Sequence, residues 1–522
     1  MDTKEIEYSI SSSDQIINKN FYAFSILVDE LLTFSHNSVE NEESSRQKVL
    51  NYLINHNVTL QEIYNWIVNN QNYSNAIVLL GEFNEYGIGT SVDKQKAFEL
   101  YQKAANLGNA SGINNLGSCY QYGIGISVDK QKAFELYQKV ANLGDADGIS
   151  NLGSCYQYGI GTRVNKQKAF ELYQKSANLG NANGIYNLGR CYRHGTGTCI
   201  NKQKAFELYQ KVANLGNASG INNLGCCYEN GIGTSIDKQK AFELYQKAAN
   251  LGNASGINNL GMCYKNGIGT SVDKQKAFEL YQKAANLDYA DGINSLGMCY
   301  EDGIGTSINK QKAFELYQTA ANLGNASGIN NLGCCYEDGI GTSVDKQKAF
   351  ELYQKAVNLG NVSAQYNLAL SYENGNGVKK DIDKTHYWIH TFSDLGHSGG
   401  INNLGCCYND GIGIDIDLQK AFELYQKAAD LGNLYGVNNL GYCYEKGIGT
   451  DVNVQKAFEL YQKAANLGND LAQYNLALMY EYGKGIEKEI SKAIYWYKKS
   501  AEQGYEDGQD KLETLHLIEL DS

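Results

Sequence analysis

Serine and lysine recur in this chain at a spacing that catalysis can use. Ser-x-x-Lys stands in one phase at Ser91–Lys94, Ser127–Lys130, Ser235–Lys238, Ser271–Lys274, Ser307–Lys310 and Ser343–Lys346, with another copy at Ser45–Lys48. In penicillin-binding enzymes the same spacing sets a Ser nucleophile beside a Lys at a helix start. A nucleophile needs one assembled constellation, however, and this motif is repeated without companion Ser-Asp-Asn or Lys-Thr-Gly motifs. It reads as helix-start architecture. His386 and His390 have the i, i+4 spacing of metal ligands. No Glu general base follows the first His, which removes the metalloprotease pattern. Cys191, His194 and Cys199 are a weak metal set, because Cys191 shares its phase with a series of core cysteines. Gly87-Ile88-Gly89 and its copies look like phosphate-cradling loops, but they follow a helix rather than a strand and so read as turns. No catalytic residue, metal or cofactor is expected.

Composition narrows the choice further. The 522 residues include 56 Gly, 40 Tyr, 13 Cys and 0 Pro, with a net charge of −12. Arg46, Arg163, Arg190 and Arg193 are the arginines. A nucleic-acid binder needs a dense basic face, so that class is excluded. No apolar run is long enough to span a bilayer. Met1–Asp14 is polar and acidic, without the basic-then-apolar pattern of a signal peptide. A cytoplasmic location is the expectation, and Leu515–Ser522 has neither a prenylation box nor an ER-retention signal.

The elements that must position any site come from self-similarity. Phe98, Phe134, Phe170, Phe206, Phe242, Phe278, Phe314, Phe350, Phe422 and Phe458 fall on one 36-residue period, and His386 and Ile494 fill the two remaining slots. Twelve units therefore run without insertion or deletion. In the unit Asn109–Gly144, Ile113, Leu116, Cys119 and Tyr120 share one face of a first helix. Gly123-Ile124-Gly125 ends that helix, because glycine tolerates the positive φ of a C-terminal turn. Asp129 is placed to cap the second helix, Lys130–Leu143, which buries Ala133, Phe134, Tyr137 and Ala141. Five such glycines per unit nearly account for the glycine content. Residues 1–72 read as a helical N-terminal cap, with an apolar helix over Phe21–Phe34, a second over Gln47–Asn55, and a capping box at Thr59-Leu60-Gln61-Glu62. Leu512, Leu515 and Ile518 in the segment 508–522 are placed to close the other end.

Cys119, Cys155, Cys191, Cys227, Cys263, Cys299, Cys335, Cys407 and Cys443 share one inward phase. Equivalent positions on stacked helices lie roughly 8–10 Å apart, beyond the limit of about 7 Å for a disulfide. Buried, reduced thiols are expected, which favours a reducing compartment. Cys226, Cys334 and Cys406 precede core cysteines and are expected to face the groove. Cys199 sits in a turn.

The pattern Leu116-Gly117-x-x-Tyr120-x-x-Gly123-x-Gly125, followed by Asp129-x-x-Lys132-Ala133 and Leu136-Tyr137, resembles the Sel1-like repeat, a relative of the tetratricopeptide repeat. The unit holding Ala472–Ala477 and Ala493–Tyr497 is similar to it as well. The resemblance covers about residues 73–507. It implies an all-α fold, a right-handed α/α superhelix of twelve helix-turn-helix repeats whose first helices line a concave side. It also implies a non-enzymatic adaptor or scaffold that binds other proteins or peptides, in signalling, complex assembly or ER-associated degradation. Some bacterial relatives are linked to penicillin binding, the alternative that the multiplied Ser-x-x-Lys motif argues against.

Positions that vary among twelve copies face something other than the stack. They correspond to Asn114, Ser118, Gln121 and Tyr122, a stripe expected opposite the core. Their neighbour Asn115 recurs through Asn475 as a ladder, which either fixes neighbouring helices or bonds a bound backbone. Along the stripe Gln121, Tyr122, Gln157 and Tyr158 are neutral, Arg193 and His194 are basic, and Glu301, Asp302, Glu337, Asp338 and Glu445 are acidic. Tyr186, Arg190, Arg193 and His194 all take stripe positions of the fourth unit. Guanidinium forks suit carboxylates and phosphates. This helix is therefore the expected grip for an acidic peptide segment or C-terminal carboxylate, with the acidic residues favouring basic groups of the same partner.

Overall fold

A computed structural model describes residues 23–33, 42–394, 396–412, 414–503, 505 and 507–512. Among them all regular structure is helical. Helix pairs repeat from Ser74–Tyr86 with Lys94–Asn106 to Asp470–Tyr482 with Ile490–Glu502; the first helix of each pair is called A below and the second B. The chain forms two compact units, Met1–Ser307 and Ile308–Ser522.

Local chemistry sets each pair. The A helix Ala110–Tyr122 starts at Asn109, whose side chain accepts from the Gly112 N–H, and stops at Gly123 in the left-handed conformation, φ 76°. Two residues on, Gly125 also has positive φ, 66°. A Cβ on Gly125 would overlap the Lys94 carbonyl oxygen of the preceding B helix. The turn of one repeat therefore rests directly on the backbone of the one before, and only glycine leaves the room. Asp129 accepts from the Lys132 N–H at 3.0 Å and starts the B helix Lys130–Asn142. Equivalent Asp or Asn caps recur down the chain, while the final B helix begins at Glu489 without one.

Packing then joins the pairs. Within a repeat, a Cβ on Gly117 would lie 2.7 Å from the ring of Tyr137, a residue only 1 % exposed, so glycine lets the two helices close on that ring. Between repeats, Gly112 meets the Ala104 methyl in the same way, at 2.6 Å. Phe98 stands edge-on to Tyr120 of the next repeat, centroids 5.6 Å apart. Such a pair contributes about 0.5–1.5 kcal/mol beyond its buried area. Phe134 is only half-buried, because it fills this edge-to-face joint with Tyr156 at 5.6 Å rather than the centre of its own pair. Lys132 covers the outer face of Tyr120, its Nζ 4.4 Å from the ring centre.

Ahead of the first repeat lie helices 23–33, Glu42–Asn55 and Leu60–Asn69. Val28, Leu31, Leu53, Ile63 and Ile67 bury against Ala76–Leu79 of the first A helix. The Thr59–Glu62 capping box forms in both directions. At the far end, Leu512 packs against the core of the second unit. Met1–Asp14, Phe21, Phe34, Leu515 and Ile518 lie outside the described residues.

Candidate peptide-binding surface

The varying stripe is less exposed than its helical phase implies. Tyr122, the thirteenth residue of its A helix, is 68 % exposed, and Ser118 and Gln121 are half-buried. Asn114 is buried, which corrects its expected place opposite the core. The reason is the asparagine ladder. Asn151 donates from Nδ2 to Asn114 Oδ1 at 2.8 Å, and Asn259 to Asn222, Asn367 to Asn330, Asn439 to Asn402 and Asn475 to Asn438 do the same. At these five steps the ladder ties one A helix to the next and uses its amides in doing so. It lapses at Asn258, whose Oδ1 is buried without a partner and where the next repeat has Ser295 in place of the donor Asn.

Beneath the ninth and twelfth A-helix positions lies a row of buried tyrosines from the B helices. Their hydroxyls need acceptors. Tyr137 meets Ser118 at 3.1 Å and Tyr173 meets Ser154 at 3.1 Å, both ninth-position partners. Tyr101 donates to Glu85 at 2.7 Å and Tyr245 to Glu229, both twelfth-position partners. In the second unit Tyr353 donates to Glu337 at 2.6 Å and Tyr461 to Glu445 at 3.0 Å.

The fourth A helix, Ala182–His194, departs from this arrangement at the fifth, ninth and twelfth positions together. Tyr186, Arg190 and Arg193 are half-buried, and His194 is exposed. Arg190 donates from Nη1 to the Tyr158 hydroxyl of the preceding repeat at 3.2 Å, and its guanidinium lies 6.0 Å from the Tyr186 ring centre. Arg193 donates to Asn223 Oδ1 at 3.2 Å, while Asn223 Nδ2 donates to the Tyr186 hydroxyl at 3.1 Å. The sequence-chosen basic residues therefore meet in one connected group. Burial and then the charges of Arg193 and Arg190 hold the His194 pKa below its ordinary value. Beneath them Tyr209 is fully buried, and its hydroxyl has no hydrogen-bond partner.

The acidic residues are placed differently. Glu301 is half-buried and Asp302 exposed at the end of the last A helix of the first unit. Glu337 and Asp338 belong to the second unit. Asp338 is exposed, whereas Glu337 accepts from both Tyr353 and Asn376, the latter at 3.1 Å. Reading the sequence missed this bracing role. Its signal was a tyrosine sixteen residues downstream in need of an acceptor.

Other chemical candidates resolve into architecture. The serines of the in-phase Ser-x-x-Lys copies are exposed in the turn before each B helix. His386 takes the Phe slot, edge-on to Tyr408 at 6.4 Å, with its Nε2 buried and unpartnered. His390 instead pairs with Asp394 at 2.9 Å. All the cysteines are free thiols. The core series is buried, and burial pushes Cys119 and Cys155 up to about 12. Cys226, Cys334 and Cys406 are half-buried beside tyrosine hydroxyls, and Cys199 is exposed. No group of three His, Cys, Asp or Glu among the described residues is spaced to hold a metal ion. No helix among them is long and apolar enough to cross a membrane.

Comparison with solved structures finds similar chains. A protective antigen of uropathogenic Escherichia coli is 26 % identical, with 87 % of this chain and 97 % of that one covered and a TM-score of 0.42. A Sel1 repeat protein from Oxalobacter formigenes is 25 % identical over 59 % of this chain and 89 % of its own, at a TM-score of 0.38. An immunity protein from Pseudomonas aeruginosa is 22 % identical over 38 % and 76 %, at a TM-score of 0.30. No curated protein matches the chain. The Sel1 repeat itself matches in twelve consecutive segments, from 74–109 through 470–505, the same period that the glycine turns and asparagine ladder build, and the chain belongs to the Sel1 repeat family.

Proposed function

We propose that this chain is a non-enzymatic scaffold that binds proteins or peptides along the exposed edge of its A helices. One observation carries the reading: the residues that hold the stack repeat almost unchanged, while the outer A-helix positions change chemistry from repeat to repeat. Stacks of this kind commonly present an extended binding surface. In the first unit that surface carries Tyr122 and Tyr158, 68 % and 55 % exposed, and then the arginine group of the fourth repeat. Large exposed aromatics and arginines are the usual anchors of protein interfaces. Tyr186, Arg190, Arg193 and His194 are the proposed grip for acidic groups, and Glu301, Asp302 and Asp338 the contacts for basic ones; Glu337 helps only by bracing the helix beneath. The free thiols support action in a reducing compartment, as a cytoplasmic adaptor in signalling or complex assembly.

The test is peptide display against the intact chain, followed by hydrogen exchange on the enriched complexes. Protection concentrated at the C-terminal turns of the A helices supports the reading. Peptides that protect only B-helix surfaces, or a library that enriches nothing, overturn it.

A further inference from the structure

Most buried tyrosines of the first unit have a protein acceptor within reach, supplied by Ser or Cys at the ninth A-helix position or Glu at the twelfth. In the fourth repeat both positions are arginine. A guanidinium has five donors and no acceptor, so the Tyr209 hydroxyl has nothing to donate to. The arginines likewise lack an anionic partner from the protein. Neither is within ion-pair distance of a carboxylate among the described residues; their partners are a tyrosine hydroxyl, a tyrosine ring, an asparagine oxygen and the Cys226 thiol. Two half-buried cations thus flank one buried donor, both close enough to act on the Tyr209 hydroxyl, where the protein supplies no anionic acceptor. Leaving such groups unsatisfied is costly, most of all for charges.

We propose that Arg190, Arg193 and the Tyr209 hydroxyl together receive an oxyanion, a carboxylate or phosphate group presented by a bound peptide, with Tyr186 and Tyr158 forming its walls. One oxygen lies between the guanidinium groups, and the Tyr209 hydroxyl donates from below to the same group. That the carrier is a peptide rests on the function proposed above. The oxyanion site itself does not, and small anions test it alone.

The experiment is titration of the full chain with inorganic phosphate and with glutarate, at constant ionic strength in chloride, read by the side-chain NMR resonances of arginine. Wild type should show saturable shifts at Arg190 and Arg193. Arg190→Gln/Arg193→Gln should weaken binding at least tenfold. Tyr209→Phe, which changes no charge and removes no existing hydrogen bond, should weaken it about threefold to tenfold with the fold intact. Tighter binding of phosphate marks a phosphorylated partner, and tighter binding of glutarate an acidic one. Absence of saturable shifts in wild type, or wild-type affinity in Tyr209→Phe, overturns the proposal. Anion binding with no peptide enriched by display leaves the oxyanion site standing and removes the peptide scaffold.

Discussion

The second and fourth repeats share a scaffold and differ on their outer A-helix positions. Gly117 and Gly189 both press on a B-helix tyrosine, Cys119 and Cys191 are both buried, and Asp129 and Asn201 cap alike. Yet Asn114, Ser118 and Gln121 become Tyr186, Arg190 and Arg193. In the second repeat those positions close the hydrogen bonds of the stack, with Ser118 against Tyr137 and Asn114 against Asn151. In the fourth they leave Tyr209 unsatisfied. The difference teaches that stack and surface are separable. Glycine, alanine and tyrosine contacts hold the repeat whatever stands outside them, so a single repeat can give up a hydrogen bond to present charge.

Breaking the shared part should have the largest effect. Gly125→Ala and Gly197→Ala each force a Cβ into a lysine carbonyl, of Lys94 and Lys166 respectively, at a positive φ. Overpacking and left-handed strain together should cost roughly 2–6 kcal/mol in either repeat. Hydrogen exchange of the flanking helices measures it locally, which matters because long arrays do not unfold in one step. A clear gap between the two variants would mean that the scaffolds are not equivalent.

Exchanging the differing part should have a smaller effect, of opposite sign in the two repeats. Asn114→Tyr/Ser118→Arg/Gln121→Arg removes the Ser118 partner of Tyr137, while a tyrosine at 114 can accept from Asn151 as Tyr186 does from Asn223. The exchange should destabilise the second repeat by about 1–3 kcal/mol. Tyr186→Asn/Arg190→Ser/Arg193→Gln supplies Tyr209 with an acceptor and should stabilise the fourth by roughly 0.5–1.5 kcal/mol. The same exchange should move anion binding from the fourth repeat to the second. Equal destabilisation in both repeats would show that the arginines hold the stack rather than serve its surface.

The ninth repeat sharpens the contrast, because there the scaffold itself is altered. His386 stands where phenylalanine stands elsewhere, and burial, then His390 and Lys420, lower its pKa. The unfolded chain binds the proton more readily, so this repeat should lose stability as pH falls below about 6.5, down to the depressed folded value. His386→Phe removes an unpartnered buried nitrogen and should gain about 1 kcal/mol. It should also flatten the change in melting temperature between pH 7.5 and pH 5.5. An unaltered pH dependence would place the titration on another group.

Much of the architecture was legible from local rules. A strict period showed that every repeat has the same neighbours, and Asp129 with its equivalents marked the B-helix starts because a short carboxylate satisfies free amides. Burial of the cysteine series followed from helical phase alone. The candidate site was legible only in part. Arg190 and Arg193 stand out by rarity, whereas the burial of Asn114 and the bonds from Tyr353 and Asn376 to Glu337 do not show in the sequence. One cause covers both: helical phase gives the direction of a side chain from its own axis and is silent about the neighbouring helix that covers it.

The sequence by itself determined the helices, their caps, their turns and their period, because each depends on backbone preferences within a few residues. Tertiary structure alone decided which polar groups are consumed and which remain available. Asn151 reaches Asn114 across 37 residues and Tyr353 reaches Glu337 across 16, and no spacing rule fixes such pairings before the helices pack. The same packing left Tyr209 without an acceptor beneath two arginines.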